Sequence, residues 1–327
     1  MKNFYNGKTI LITGGTGSLG RALIKHLKKW NCKLIVYSRD EGKQALTFGD
    51  DSSVSCVIGD VRDFDKFNVT LQRHNPDYII HTAALKRVDD MEFYPDECIK
   101  TNINGSENVA IAALQNNIKK CILISTDKAC QPINVYGSSK FIAERLFSNY
   151  DYNSNSTVFS SLRYGNVIAS RGSFVPMFLD WINNDKEVKI TSNEMTRFLF
   201  TLDDAADSVL QSLNNAVGGE VFVPKINSYT LLECIAALEQ IFNKKASTRI
   251  TGLRPGEKLH EDMLSETELP FTYEVKDTSL LQIRPQYTKK KYQNFNKYDG
   301  PHLNSKLWVQ NDLNKIINLI KKGLSCT

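Results

Sequence analysis

An apolar run, Thr9–Thr13, passes directly into Thr13-Gly14-Gly15-Thr16-Gly17-Ser18-Leu19-Gly20 and then into an amphipathic helical pattern, and this junction restricts the chain more than any other feature. The spacing Gly14-x-x-Gly17-x-x-Gly20 permits a tight turn, close approach of backbone amides to a pyrophosphate, and close packing of helix on strand. The positive end of the following helix favours the anion. Three glycines alone are a weak signal. Set between strand and helix they predict a dinucleotide-binding crossover, with Gly14, Thr16, Gly17, Ser18, Leu19 and Gly20 as its contacts.

The rest of the first half repeats that rhythm. Apolar runs at Lys33–Tyr37, Val54–Ile58, Tyr78–His81, Lys120–Ser125 and Ser156–Arg163 alternate with helical patterns, which predicts an α/β, Rossmann-type doubly wound sheet of at least six parallel strands. Residues 1–165 are expected to form this nucleotide-binding domain, with 201–216, including a helix at Leu202–Asn215, returning to it. Residues 166–200 and 217–327 are expected to form a smaller C-terminal substrate lobe and tail. That part carries a helix from about Val175, a strand at Glu187–Thr191, helices at Leu231–Phe242 and Trp308–Lys322, and an unreadable stretch from Thr272 to Ser305.

Composition narrows the class further. At 41 % hydrophobic and 24 % charged residues the chain is ordinary for a globular protein, and no apolar run approaches the roughly 20 residues of a membrane span. The start, Met-Lys-Asn-Phe-Tyr-Asn-Gly-Lys, lacks the apolar stretch of a secretory signal, so a cytoplasmic location is expected. Seven cysteines without paired or metal-ligand spacing read as reduced thiols, with no metal site. A formal charge of +5 is too small for a nucleic-acid partner and suits an anionic nucleotide substrate.

Residues after each strand supply the remaining candidate cofactor contacts. The second strand ends in Tyr37-Ser38-Arg39-Asp40; Ser38 and Arg39 favour a ribose 2′-phosphate, hence NADP over NAD, and Asp40 is the competing signal. Asp60 and Val61 are placed beside adenine, and Ala83 at a small-residue turn that admits ribose and pyrophosphate. Asn102 has two readings of equal weight, a cofactor contact and a buried structural amide.

The chemistry is concentrated in Thr126-Asp127-Lys128, followed eight residues later by Tyr136-Gly-Ser-Ser-Lys140. A strand ending near Ser125 delivers the first three to the sheet's carboxyl edge, and a helix from about Asn134 presents Tyr136 and Lys140 at i, i+4. A cation beside the phenol brings it toward its working range as a base. Asp127 and Lys128 add an acid and a second base that a plain alcohol dehydrogenase does not need, and an Asp-Lys pair at a strand end beside Tyr136 is poorly explained as a surface ion pair.

The glycine loop with Tyr136-x-x-x-Lys140 resembles the short-chain dehydrogenase/reductase superfamily, in its extended nucleotide-sugar branch, over essentially the whole chain. Ser125-Thr126-Asp127-Lys128-Ala129, Ala84-Leu85-Lys86, Arg163-Tyr164-Gly165-Asn166, Ser170-Arg171-Gly172-Ser173, Met195-Thr196-Arg197-Phe198 and Leu253-Arg254-Pro255-Gly256-Glu257-Lys258-Leu259-His260-Glu261 are similar to the UDP-N-acetylglucosamine 4,6-dehydratases, above all their soluble, configuration-inverting group. Related dTDP- and GDP-sugar dehydratases have glutamate where this chain has Lys128.

The resemblance implies that Tyr136 and Thr126 act at the carbon-4 hydroxyl, that Lys128 takes the carbon-5 proton, and that Asp127 protonates the departing carbon-6 hydroxyl. It also implies tightly bound NADP recycled within each turnover, UDP-N-acetylglucosamine as substrate and a homo-oligomer. Those roles require Lys128 lowered and Asp127 raised in proton affinity. Asn166, Arg171, Arg197, Arg254 and Glu257 fall at substrate-binding positions, and Lys86 and Lys225 at the sugar pocket, with Lys86 also near the cofactor. His260 is a structural or rim histidine. Inversion at carbon 5 is favoured and retention stays open. The competing functions are a sugar epimerase or ketosugar reductase on the same fold, and a non-catalytic NADP-binding regulator.

Overall fold

The computed structural model describes residues 1–168, 170, 173–184 and 186–325, and Arg171 lies outside them. Strands β1 (Thr9–Thr13), β2 (Lys33–Ser38), β3 (Val54–Ile58), β4 (Tyr78–His81), β5 (Lys120–Ile124) and β6 (Val158–Leu162) are all parallel. Alternation along β1 sends Ile10 and Ile12 to one face, against Leu23 and Leu27 of the helix Ser18–Lys28 and Leu210 and Leu213 of the helix Leu202–Asn215. Leu11 points to the other face, where Val109, Ala113 and Phe147 come from the helices Gly105–Gln115 and Val135–Asn153. Helices on both faces explain why these strands are continuous apolar runs.

The remaining strands are β7 (Asn166–Val167), β8 (Val188–Ile190), β9 (Thr196–Phe200), β10 (Val221–Pro224), β11 (Ser228–Thr230), β12 (Thr248–Ile250), β13 (Asp262–Leu264), β14 (Thr272–Glu274), β15 (Leu280–Ile283) and β16 (Leu303–Asn304). The large sheet has the order β14-β15-β10-β6-β5-β4-β1-β2-β3. The order reverses between β1 and β4, so their carboxyl ends open the crevice in which such sheets bind ligands. The smaller sheets β11-β9-β7, β12-β8 and β13-β16 form the lobe, together with a cluster that includes Phe178, Ile235, Leu238, Ile316 and Ile320.

Two sequence expectations are corrected here. Residues 217–327 do not all belong to the lobe: β10 is a seventh parallel strand beside β6, and β14 and β15 extend the same sheet antiparallel. Strands of three or four residues carry too few alternations to be read, and this segment is tied down by a buried charge. Arg163 at the end of β6 binds Glu144 at 2.8 Å and Glu268 at 2.9 Å. The last helix is Leu313–Ser325, not Trp308–Lys322, because the Asp312 carboxylate accepts from the amides of Asn314 and Lys315 and starts it there. Among the described residues no helix is long and apolar enough to cross a membrane.

The Arg163 cluster also sets an acid sensitivity. Burial raises the Glu268 carboxyl, but Arg163 and hydrogen bonds from Ser265 outweigh it and hold the group down at about 2. A depressed carboxylate contributes stability above its unfolded range, near 4.5, and loses it as pH falls through the folded value. Urea midpoints are therefore expected to fall steeply below about pH 4.5, and Glu268→Gln to flatten that dependence. An equal slope in the variant would assign the acid lability to other carboxylates.

Candidate active site

Each catalytic candidate is placed by backbone chemistry its neighbours impose. After β5 the chain enters a single 3₁₀ turn, Asp127–Ala129, whose N-cap is Thr126. Asn134 caps the helix Val135–Asn153 by accepting from the amide of Gly137 at 2.7 Å, and its Nδ2 donates to the Gly256 carbonyl at 2.8 Å. Gly256 has φ +73°, and a Cβ there would stand 2.9 Å from the Asn134 Cβ, so a glycine is needed to bring the Arg254–Lys258 turn onto this helix. Lys258 adds a hydrogen bond to the Cys130 carbonyl at 2.8 Å. The lobe is thus stitched to both catalytic segments.

Asp127 is almost wholly buried. Its Oδ1 accepts from the Thr126 hydroxyl at 2.8 Å, the Lys128 amide at 2.9 Å and Lys128 Nζ at 3.0 Å, while Oδ2 is buried with no partner among the described residues. Lys128 Nζ also lies 3.1 Å from Glu261 Oε1. Burial and Arg197 lower the Lys128 ammonium, but Asp127 and Glu261 prevail, and its proton affinity is raised. This differs from the expectation of a lowered lysine: Asp127 together with a second carboxylate, Glu261, whose role sequence reasoning missed, outweighs desolvation. Glu261 stands in the quoted Leu259-His260-Glu261 run, but no local pattern marks it, since the contact is made across the fold.

Burial pushes the Tyr136 phenol up to about 12, opposed by the Lys128 charge and a hydrogen bond with Thr126. Lys140 is buried and pushed down to about 8, with Glu144 and Cys98 acting in the opposite direction. In this ligand-free arrangement the cation that acts on Tyr136 is therefore Lys128. Asn102 takes the structural reading: Oδ1 accepts from the Leu85 amide at 2.8 Å, and Nδ2 donates to the Leu85 carbonyl at 2.9 Å and to Ser139 at 3.0 Å. It clamps the loop after β4 to the catalytic helix, the structural one of its two readings.

The glycine loop is built to receive an anion. Gly14 has φ +69°, and a Cβ would meet Thr82 Oγ1 at 2.9 Å, so the turn lies flat against the loop after β4. Asp40 and Asp63 cap the helices they precede, whereas Gly17 offers no side chain to the first turn of the helix Ser18–Lys28. Thr16 and Ser18 are half-buried beside that turn, and a helix N-terminus of this kind favours an anion such as phosphate. The Leu19 side chain packs in the core, so only its backbone faces the loop. Val61 is buried likewise, and Ala83 is half-buried with its amide 3.2 Å from Thr13 Oγ1. Arg39 is largely exposed, 3.7 Å from Asp60, whose carboxylate is held by Arg62 at 2.7 Å. Ser38 accepts from Gln44 at 2.9 Å.

The substrate candidates divide. Asn166 Oδ1 is buried without a partner among the described residues, as an atom awaiting a donor would be. Arg197, Glu257 and Arg254 form a chain, with Arg197 to Glu257 at 3.7 Å, Arg254 to Glu257 at 2.9 Å and Arg254 to Asp89 at 2.7 Å. Arg197 also donates to the carbonyls of Thr196, Lys258 and Leu259, which fixes its plane. Lys225 is paired with Glu274 at 2.9 Å, and Lys86 is exposed on the loop after β4. His260 bonds Thr196 at 2.8 Å, in keeping with a structural role.

A doubly wound sheet with this glycine loop and a Tyr136/Lys140 helix is the architecture of the extended short-chain dehydrogenase/reductases. Residues 10–282 match the family model described as polysaccharide biosynthesis protein, and the chain belongs to that family. It is 45 % identical over 278 residues, 83 % of this chain and 81 % of the relative, to a Campylobacter jejuni protein named UDP-N-acetylglucosamine 4,6-dehydratase (inverting). It is also 41 % identical over 280 residues, 83 % of this chain and 81 % of the relative, to a Rickettsia massiliae protein named UDP-glucose 4-epimerase. Among solved structures, Pen from Bacillus thuringiensis superposes with a TM-score of 0.90 at 31 % identity, covering 99 % of this chain and 100 % of that one.

Proposed function

We propose that this protein is an NADP-dependent UDP-N-acetylglucosamine 4,6-dehydratase. The observation that carries the reading is the Asp127–Lys128 contact of 3.0 Å, with Thr126 bonded to the same carboxylate and to Tyr136. Carbon-4 epimerisation needs only oxidation and its reversal. An extra acid and base at one substrate are what a water elimination requires. The dehydratase relative agrees with that chemistry, and the epimerase relative supplies the competing outcome.

The glycine loop fits a dinucleotide, which when bound supplies a reversible two-electron acceptor. Tyr136 takes the carbon-4 hydroxyl proton, Thr126 orients that hydroxyl, and the ketone so formed acidifies carbon 5. Lys128 removes the carbon-5 proton while Asp127 protonates the carbon-6 hydroxyl. Transfer of one proton along the 3.0 Å contact from Nζ to the carboxylate converts the resting ion pair into neutral amine and carboxylic acid together. The observed pair is also what the elimination leaves behind. Asn166, Arg197, Arg254 and Glu257 are the groups for the nucleotide diphosphate.

NADP is supported by Asp40 being occupied as a helix cap while Arg39 projects from the same strand end. Arg39→Ala is expected to weaken NADP⁺ binding about ten- to a hundredfold and leave NAD⁺ binding nearly unchanged, as loss of a charge-assisted contact to the 2′-phosphate would. Fluorescence titration with both dinucleotides reads this directly.

The function is tested by incubating the protein with UDP-N-acetylglucosamine. A product lighter by one water, with no net NADPH, is expected; an isomer of unchanged mass would establish the epimerase. Incubation in deuterated water and NMR ring couplings then give the configuration at carbon 5, with inversion expected.

A further inference from the structure

The resting arrangement leaves one group without a task. Asp127 is enough to form an ion pair with Lys128, yet a second carboxylate, Glu261, also contacts the same nitrogen at 3.1 Å. Glu261 is about 1 % exposed, and its Oε2, like Oδ2 of Asp127, is buried with no hydrogen-bond partner among the described residues. Two buried carboxylates on one ammonium carry a surplus negative charge, which Arg197 at 3.9 Å from Glu261 offsets. The backbone around Glu261 is fixed: its amide donates to Ser305 Oγ at 2.8 Å and its carbonyl accepts from the Ser305 amide at 2.8 Å. These main-chain bonds, continued by the pairing of β13 with β16, join the two segments without using the Glu261 charge.

We propose that Glu261 is the positioning residue for the carbon-5 base, holding Lys128 Nζ in place when Asp127 departs from the ion pair to act as acid. The inference rests on the dehydratase reading. A lysine nitrogen has four directions. The bond to Cε takes one, the Asp127 hydrogen bond a second and the Glu261 contact a third; the proton given to Asp127 leaves the lone pair in the second direction, and a one-third turn about Cε–Nζ carries it to the open fourth while another N–H turns onto Glu261. Once Asp127 carries the proton, its contact no longer restrains the amine as an ion pair. Glu261, on a different segment, keeps the nitrogen from swinging on its four-carbon stem. Each step balances: Nζ–H breaks as the Asp127 O–H forms, then C5–H breaks as Nζ–H re-forms, and the Asp127 proton leaves in water. Glu261 ends as it began.

The charged and titratable groups facing Lys128 are Asp127 on its own turn, Glu261 and Arg197 from the lobe, and Tyr136 from the catalytic helix. A negative charge stabilises the ammonium, so removing it lowers the pH at which Lys128 becomes neutral. Glu261→Gln is expected to slow deuterium wash-in at carbon 5 and kcat together by about a hundredfold, the range general-base positioning supplies, and to move the descending limb of the kcat profile, where the pair loses its shared proton, to lower pH. KM and dinucleotide affinity are expected to hold. Glu261→Asp keeps the charge but withdraws it by one methylene. It is expected to retain the wild-type limb and lose rate, and it serves as the test should the glutamine variant not accumulate as folded protein. Wild-type wash-in and limb in a folded Glu261→Gln, or wild-type wash-in in Glu261→Asp, would overturn the proposal. Absence of wash-in from the wild-type protein would instead overturn the dehydratase reading itself.

Discussion

Lys128→Ala is expected to abolish deuterium incorporation at carbon 5 and to lower turnover by about a thousandfold or more, while the protein still binds its dinucleotide. Two effects combine. The base for carbon 5 is gone, and so is the cation that acts on the Tyr136 phenol, so the first oxidation slows as well. The glycine loop lies at the ends of other strands and is untouched. Removing the ammonium also leaves Asp127 and Glu261 buried and facing the same space without it, so each must rise in proton affinity. The variant is therefore expected to lose stability relative to wild type as pH rises and to recover it on acidification. Quenched incubations in deuterated water read the exchange, and denaturant midpoints at several pH values read the linkage. Surviving wash-in at wild-type rate would remove Lys128 from the mechanism.

Arg163→Leu is expected to destabilise the fold by about 3–5 kcal/mol, the usual cost of removing one partner from a buried ion pair. Its guanidinium is fully buried between Glu144, which is equally buried, and Glu268. Glu144 also accepts from Ser125 at 2.5 Å and stands one turn beyond Lys140 on the catalytic helix. One cation thus joins the end of β6, the catalytic helix and the C-terminal segment. Without Arg163, Glu144 keeps its Ser125 hydrogen bond and the weaker influence of Lys140 and of Arg145 at 3.9 Å. A lowered denaturant midpoint with an unchanged slope is the expected signature, and combined apolar replacement of Arg163, Glu144 and Glu268 is expected to recover much of the loss. A cost under about 1 kcal/mol for Arg163→Leu alone would show that the C-terminal segment is held by its apolar contacts instead.

The parts of the fold legible beforehand are those whose pattern repeats within a few residues. β1, β4 and β5 are buried on both faces and read as apolar runs; Asn134 declares the start of a helix because its side chain caps three residues ahead. The Thr126–Lys128 and Tyr136–Lys140 groupings are legible for the same reason, since strand end and helix face are local geometries. β14, β15 and the true start of the last helix are not, because three-residue strands carry almost no period and their place is decided by Arg163 and by β10. Asn102 shows the limit at the level of one side chain. Its type permits either a ligand or a clamp, and only the loop folded back onto it selects the clamp.

The sequence by itself determined the class of fold and which side chains are the candidate acid, bases and phosphate-binding turn, because each of these groupings is set by neighbours along the chain. The tertiary structure alone decided their ionisation. Lys128 holds its proton because Asp127 beside it is joined by Glu261 from a segment over 130 residues away, and the Tyr136 phenol responds to that same ammonium. Charge interactions act through space at a few ångströms, so no spacing in the chain can encode them.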